Sequence, residues 1–214
     1  EGENVALTGR SAGTDMTGGS LTEGVILSFV AHMNKVLEVD EHRVVTQAGV
    51  FYRDLEKETL SKGWFMPSYP ASREICAIGG IVMNNSGGEK TLTYGKTENY
   101  VKEVEMVLSN ADVVTFKELS RDELKKKKKL ETFEGEIYRK MWDLISNNYD
   151  HIKNAKPAVS KNSAGYYLWN VYDKEKNTFD LSKVIVGSQG TLGILSKATL
   201  TGVKPKKFSR LLVV

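Results

Sequence analysis

Apolar and polar positions in the first fifty residues alternate in short runs, the pattern of strands separated by turns. Residues 4–7 (NVAL), 24–29 (GVILSF), 35–40 (KVLEVD) and 42–50 (HRVVTQAGV) each read as a strand, the last rich in β-branched residues and closed by Gly49. The period then changes. Residues 52–62 (YRDLEKETLSK) predict a helix with Leu55 and Leu60 on its inner side and Gly63 at its end. Residues 64–95 are irregular and carry Pro67 and Pro70, with room for a helical turn within 73–84. An unstructured stretch of that length usually serves a function. Residues 103–108 (EVEMVL) and 112–116 (DVVTF) flank Ser109, Asn110 and Ala111 and predict a hairpin. Residues 120–148 are helical text: Ser120 and Glu123 have capping-box spacing, and Gly135 is expected to divide the stretch into two helices. Residues 192–203 return to strand-like text, and no internal repeat is visible. The mixture predicts an α+β fold with a boundary near residues 40–50.

With 40% hydrophobic and 27% charged residues in a chain of 214, a real core can form and wholesale disorder is excluded. The net charge of +3 is too small to imply a nucleic-acid surface. The unbroken lysines from Lys125 to Lys129 would point all round a helix and have no interleaved aromatics, so a solvated helix is the expected role. The single cysteine, Cys76, excludes an intrachain disulfide framework or a Cys-rich metal site. No signal peptide or apolar stretch near the roughly 20 residues of a membrane span is visible, and a cytoplasmic location is expected. His32, His42 and His151 lack ligand-like spacing, and no metal site is expected; Trp64, Trp142 and Trp169 read as packing aromatics.

Glycine is the feature that composition leaves unexplained: 19 Gly stand against 4 Pro, bunched inside otherwise hydrophobic text. Bunched glycine marks backbone that takes positive φ or lets another group approach closely. Loop one (Thr8, Gly9, Arg10, Ser11, Ala12, Gly13, Thr14, then Gly18 and Gly19) offers successive N–H groups and hydroxyls to an anion. Its spacing is neither the P-loop nor the dinucleotide fingerprint, and alone it is as readily a plain turn. Loop two (Pro70, Ala71, Ser72, Arg73; Ala77, Ile78, Gly79, Gly80; Asn84, Asn85, Ser86, Gly87, Gly88; Tyr94, Gly95) presents small faces and backbone donors suited to a large planar heterocycle. Loop three (Gly187, Ser188, Gln189, Gly190, Thr191, Leu192, Gly193) repeats that chemistry. Cys76 lies within loop two, where a buried inert thiol is the expected reading.

The ordered motifs R-S-A-G-T…G-G, P-A-S-R…A-I-G-G…N-N-S-G-G…Y-G and G-S-Q-G-T-L-G-I resemble the FAD-linked oxidases of the vanillyl-alcohol oxidase/PCMH superfamily. The resemblance is greatest to the branch that holds the flavin-binding chain of glycolate oxidase and the flavin-linked D-lactate dehydrogenases, and it runs from about residue 4 to about residue 205. It implies a PCMH-type FAD-binding domain of two α+β subdomains: residues 1–45 as a truncated first subdomain, and 46–214 as a second with a Lys-rich helical insertion at about 119–150. By the same resemblance Arg10, Ser11, Ala12, Gly13, Thr14, Gly18 and Gly19 hold the pyrophosphate. Pro70, Ala71, Ser72, Ala77, Ile78, Gly79 and Gly80 line the flavin and ribityl side, with Asn85, Gly88, Tyr94 and Gly95 nearby. Gly190, Thr191 and Ile194 close over the adenosine, and Lys161, Asn162, Ser163, Ala164, Gly165 and Tyr166 match a stretch that packs beside the cofactor.

The implied activity is oxidation of a 2-hydroxy acid of the D-lactate or glycolate type, hydride passing to flavin N5 while a base removes the hydroxyl proton. Thr14 and Asp15 stand where covalent members often carry His, so FAD is expected to be noncovalent. Gln189 stands where Glu is common. The catalytic base and substrate-binding residues are expected in a cap domain absent from this chain, which reads as a fragment. An iron–sulfur or other electron-accepting partner and a homodimer paired through an exposed sheet edge are further options. Two rival readings stand beside this one: an FAD-binding fragment without activity of its own, and a lysine-rich interaction protein whose glycines only make turns.

Overall fold

A computed structural model describes residues 5–159, 162, 164–208 and 210. Asn4, in the first expected strand, and Lys161 and Ser163 lie outside the described residues. β1 (Leu7–Arg10) and β2 (Val25–Ser28) form a two-stranded parallel sheet with Leu7 opposite Val25 and Arg10 opposite Ser28. The strand expected over 4–7 thus begins at Leu7. Its partner starts only at Val25, and pairing continues until the Phe29 N–H reaches the Arg10 carbonyl at 3.0 Å.

The larger sheet contains β3 (Val36–Val39), β4 (Val44–Gln47), β5 (Val101–Val107), β6 (Val113–Ser120), β7 (Tyr172–Asp173), β8 (Thr178–Asp180) and β9 (Ile194–Leu200). Its order is β3-β4-β9-β5-β6-β8-β7, with every pairing antiparallel. β5 and β6 are the expected hairpin, Val107 facing Val113 across a turn in which Ala111 takes φ 67°. The expected division at residue 45 falls inside β4, and Val36 of β3 pairs with Thr46 of β4, both strands joining the large sheet. The change of sheet therefore falls between Ser28 and Val36.

Helix α1 (Tyr52–Ser61) buries Tyr52, Leu55 and Thr59, whereas Leu60 is 46% exposed. Helical geometry explains the departure: Leu55 and Thr59 are four residues apart and share a face, while Leu60 is rotated about 140° from Leu55. α2 (Ile78–Met83) fills the helical turn expected within 73–84, and a short α3 (Thr91–Tyr94) follows. α4 (Arg121–Lys128) starts on the expected capping box: the Ser120 hydroxyl accepts the Glu123 N–H, and Glu123 accepts the Ser120 N–H at 2.8 Å. α5 (Phe133–Asn147), α6 (Tyr149–Asn154) and α7 (Ser182–Ile185) complete the helices named here.

Gly135 does not divide α4 from α5. The break lies ahead of Thr132, whose hydroxyl caps the Gly135 N–H at 3.3 Å, and Gly135 is buried inside the first turn of α5. A Cβ there would overlap the Leu130 carbonyl oxygen, so the position serves close backbone approach.

The core joins both ends of the large sheet. Val44, Leu200, Val104 and Met106 are buried with Tyr52, Leu55, Ile78 and Ile81, and Leu119 and Phe179 with Tyr138 and Ile145. Each large apolar side chain so buried contributes about 1.5–3 kcal/mol. That core fixes β4, α2 and the start of β9, the elements from which the glycine loops emerge.

Candidate functional site

Loop one leaves the end of β1, loop two runs into α2, and loop three lies between α7 and β9. One carbonyl joins the first two. Ala48 O accepts both the Ser11 hydroxyl at 2.7 Å and the Gly79 N–H at 2.7 Å. Ala48 is itself held by its N–H donating to Ser196 O at 3.0 Å on β9. Close approach at this junction needs glycine: a Cβ on Gly79 would stand 2.8 Å from Ala48 O and 2.9 Å from Ala48 Cβ. The other end of α2 holds loop three. The Gly187 N–H donates to Val82 O at 3.1 Å, the Gln189 N–H to Met83 O at 2.9 Å, and Gln189 Nε2 to Asn84 Oδ1 at 3.2 Å. A six-residue helix thus spaces three loops around one cleft.

The cleft encloses about 510 Å³, within the range of small-molecule and cofactor sites. Of the residues expected at the site, Ser11, Ala12, Gly13, Thr14 and Gly19 line it from loop one. Pro70, Ser72, Ala77, Gly79 and Gly80 line it from loop two, and Gly190, Thr191 and Ile194 from loop three. Leu7, Phe29, Ala48, Met83 and Leu195 supply apolar wall.

Several expected residues fall outside the lining. Arg10 lies against Gly13, where a Cβ would overlap its guanidinium. Gly18 turns the loop at φ 77°, and Ala71 is exposed beside Pro70 and Ser72. Ile78 is fully buried toward the core, because Gly79 and Gly80 occupy the cleft side of the helix's first turn. Asn85, at φ 47°, accepts the Glu98 N–H on Oδ1 at 3.0 Å. Gly88 lies against the Tyr69 carbonyl, Tyr94 O accepts the Tyr100 hydroxyl at 2.6 Å, and Gly95 ends α3 at φ 76°. These residues brace loop two from behind. Tyr166 reaches loop three, its hydroxyl 2.7 Å from Thr191 Oγ1.

The donors are backbone groups. Among the described residues, the N–H groups of Ser11, Ala12, Gly13 and Thr14 donate to no protein acceptor. The N–H groups of Thr17 and Gly19 are already taken by Asp15, at 3.0 and 3.1 Å. Asp15 also accepts the Thr17 hydroxyl at 2.7 Å; that bond, followed by the Thr17 N–H, holds its carboxyl below the ordinary aspartate range. Asp15 is the one charged side chain among the described residues that line the cleft.

Cys76 is buried and lines the cleft, and burial pushes its thiol up to about 11. The expectation of an inert thiol therefore agrees with the structure, and the thiol forms part of the wall. Behind Pro70 and Ser72, Arg73 pairs with Glu56 of α1 and lies over the Tyr69 ring, 5.0 Å from its centroid. Glu56 raises the guanidinium pKa, so the anchor remains charged. Asp15, Ala48 and Met83 were not expected to line the cleft, and Gln189 was expected only as part of loop three. Asp15 and Gln189 sit inside glycine loops, a local signal; Ala48 is ordinary strand text and gave none.

A family model described as an FAD binding domain matches residues 1–117. The chain is 31% identical over 214 residues to the glycolate oxidase subunit GlcD of Bacillus subtilis, covering 98% of this chain and 34% of that protein. It is 28% identical over 213 residues to the D-2-hydroxyglutarate dehydrogenase of Escherichia coli, covering 99% and 21%. Identity to the D-lactate dehydrogenase of Archaeoglobus fulgidus is 25% over 193 residues, covering 89% and 32%. This chain therefore spans between about a fifth and a third of the length of these relatives. The solved structure of an alkyldihydroxyacetonephosphate synthase shares the fold at TM-score 0.58 and 22% identity, over 94% of this chain and 28% of the other. Among the described residues no helix is long and apolar enough to cross a membrane.

Proposed function

Because the chain belongs to the family of FAD binding domains, we propose that it binds FAD noncovalently in the glycine-loop cleft, as the cofactor-holding part of a 2-hydroxy-acid oxidoreductase. The observation that carries this reading is the junction at Ala48 O, which makes loops one and two walls of a single cleft. The residues present suit the group. Loop one offers consecutive N–H groups, those of Ser11, Ala12, Gly13 and Thr14 among them, that donate to no acceptor among the described residues, a donor set of the kind that receives phosphate oxygens. Facing it, Ala77, Met83, Ile194 and Leu195 give apolar wall for a ring system. The Cβ positions of Gly80 and Gly190 are open: Ser11 Cβ stands 3.9 Å from the first, and nothing lies within 4 Å of the second.

On this reading Ser11, Ala12, Gly13 and Thr14 receive the diphosphate. Pro70, Ala77, Gly79 and Gly80 lie along the flavin and ribityl side, while Gly190, Thr191 and Ile194 cover the adenosine. His32, His42 and His151 do not line the cleft, in keeping with noncovalent attachment. Bound FAD would supply the two-electron acceptor that oxidation of a 2-hydroxy acid to a 2-oxo acid requires. The protein's share is to orient the group and keep water from its buried side, as Phe29, Ala48 and Cys76 do.

One observation favours a cofactor-binding role without turnover for this chain alone. Among the described lining residues there is no His, Lys or Arg to take a hydroxyl proton or hold a substrate carboxylate, and the Cys76 thiol is protonated at neutral pH. On this reading the substrate carboxylate is held outside the described lining, where the one charged side chain is the Asp15 carboxylate. Mixing the purified chain with FAD, followed by anaerobic D-lactate, glycolate or D-2-hydroxyglutarate, tests both readings. Quenched flavin fluorescence with no bleaching is the expected result. Bleaching would assign turnover to this chain itself; folded protein that leaves FAD free would overturn the proposal.

A further inference from the structure

We propose that Asp15 sets the affinity of the cleft for dinucleotides, by holding a carboxylate charge in the loop that receives the diphosphate; this rests on the FAD reading above. Three observations converge on it. First, the described lining carries no cationic side chain, and its one charge is that carboxylate. Second, Asp15 consumes donors an anion could use: Oδ1 accepts the Thr17 N–H, and Oδ2 accepts the Thr17 hydroxyl and the Gly19 N–H. Two of the loop's N–H groups are thereby withdrawn, whereas those of Ser11, Ala12, Gly13, Thr14, Asp15 and Met16 donate to no acceptor among the described residues. Third, Arg10, whose guanidinium lies beside Gly13, is not among the lining residues, so no cation in the described lining answers the Asp15 carboxylate. Loop one then meets a diphosphate with backbone N–H groups, hydroxyls and one carboxylate, and with no cation from the described lining.

The bonds from Thr17 and Gly19 keep the carboxylate ionised at neutral pH. Asp15 is exposed, so its repulsion of the diphosphate is screened, and the effect is moderate and sensitive to salt. Asp15→Asn retains an acceptor for the Thr17 N–H and removes the charge. It is expected to tighten FAD binding about 3- to 10-fold at low ionic strength.

The test titrates FAD and riboflavin, which lacks the diphosphate, into wild type, Asp15→Asn and Asp15→Ser at about 20 mM and about 500 mM KCl. Expected is a gain for FAD in the variants that shrinks at high salt, with riboflavin unchanged. If Asp15→Asn fails to fold, Asp15→Ser carries the same comparison, its hydroxyl still able to accept the Thr17 N–H. Unchanged or weaker FAD binding in the folded variants would overturn the proposal, as would a gain that salt does not reduce or that riboflavin shares. Wild type binding FAD while the variants show no gain would defeat this inference alone; wild type binding neither ligand would defeat the FAD reading itself.

Discussion

Gly79→Ala tests whether the Ala48 junction couples the loops. The added methyl would lie 2.8 Å from Ala48 O, 2.9 Å from Ala48 Cβ and 3.3 Å from Ser11 Oγ. Two of those atoms belong to a residue held in place by Ser196, so the neighbour cannot swing aside as a flexible side chain could. Overpacking of this kind costs about 1–3 kcal/mol. Alanine recovers about 0.5–1 kcal/mol of helix propensity, since Gly79 lies in the first turn of α2. The balance is a loss of up to about 2.5 kcal/mol, or up to about 10 °C in Tm for a chain of this length. Because the shift opens the Ser11 and Gly79 hydrogen bonds to Ala48, FAD affinity should fall about tenfold or more as loops one and two part. Gly80→Ala is the control: its Cβ meets nothing nearer than Ser11 Cβ at 3.9 Å, so the unliganded protein should gain about 0.5–1 kcal/mol from helix propensity. That methyl projects into the cleft and should still weaken FAD. Thermal unfolding by circular dichroism and FAD titration by fluorescence quenching read both effects. If Gly79→Ala keeps wild-type stability and affinity, or if Gly80→Ala is the more destabilised, the coupling through Ala48 is wrong.

Two further outcomes follow from sites of different character. Ser120→Ala removes the hydroxyl that accepts the Glu123 N–H in the α4 capping box and should cost about 1 kcal/mol in urea unfolding while leaving FAD affinity unchanged; a change in affinity would contradict the placement of α4 outside the cleft. Alkylation of Cys76 by iodoacetamide should be slow at neutral pH and rise about tenfold per pH unit until about 11, because burial disfavours the thiolate; FAD should protect it further, and fast alkylation at pH 7 would refute its buried position in the cleft wall.

What the amino-acid text made legible was whatever is written locally. Glycine-rich segments identify themselves by composition, and the Ser120 box by spacing, so the hairpin, α1, the start of α4 and the glycine-loop part of the lining could be read from the sequence directly. Errors came where a distant neighbour decides. Gly135 looks like a helix breaker in isolation, but its place follows from the Leu130 carbonyl pressing on it. Leu60 outranks Thr59 in hydrophobicity, yet the rotation set by Leu55 turns it to solvent. β7, β8 and α7 are only two to four residues long, too short for any period to show.

The same distinction separates the residues that contact a ligand from those that make the site exist. Ala48 has no side-chain chemistry and gives no local signal, yet its carbonyl is where two loops, remote in sequence, become one wall. Glu56 acts at one further remove: from α1 it fixes Arg73, and with it the segment that presents Pro70 and Ser72 to the cleft. Such residues are chosen by what is packed against them. Reading the cleft from sequence therefore finds its glycine loops and misses its frame, and the frame is what sets Ser11, Ala12, Gly13 and Thr14 around the same cleft as Gly80 and Gly190.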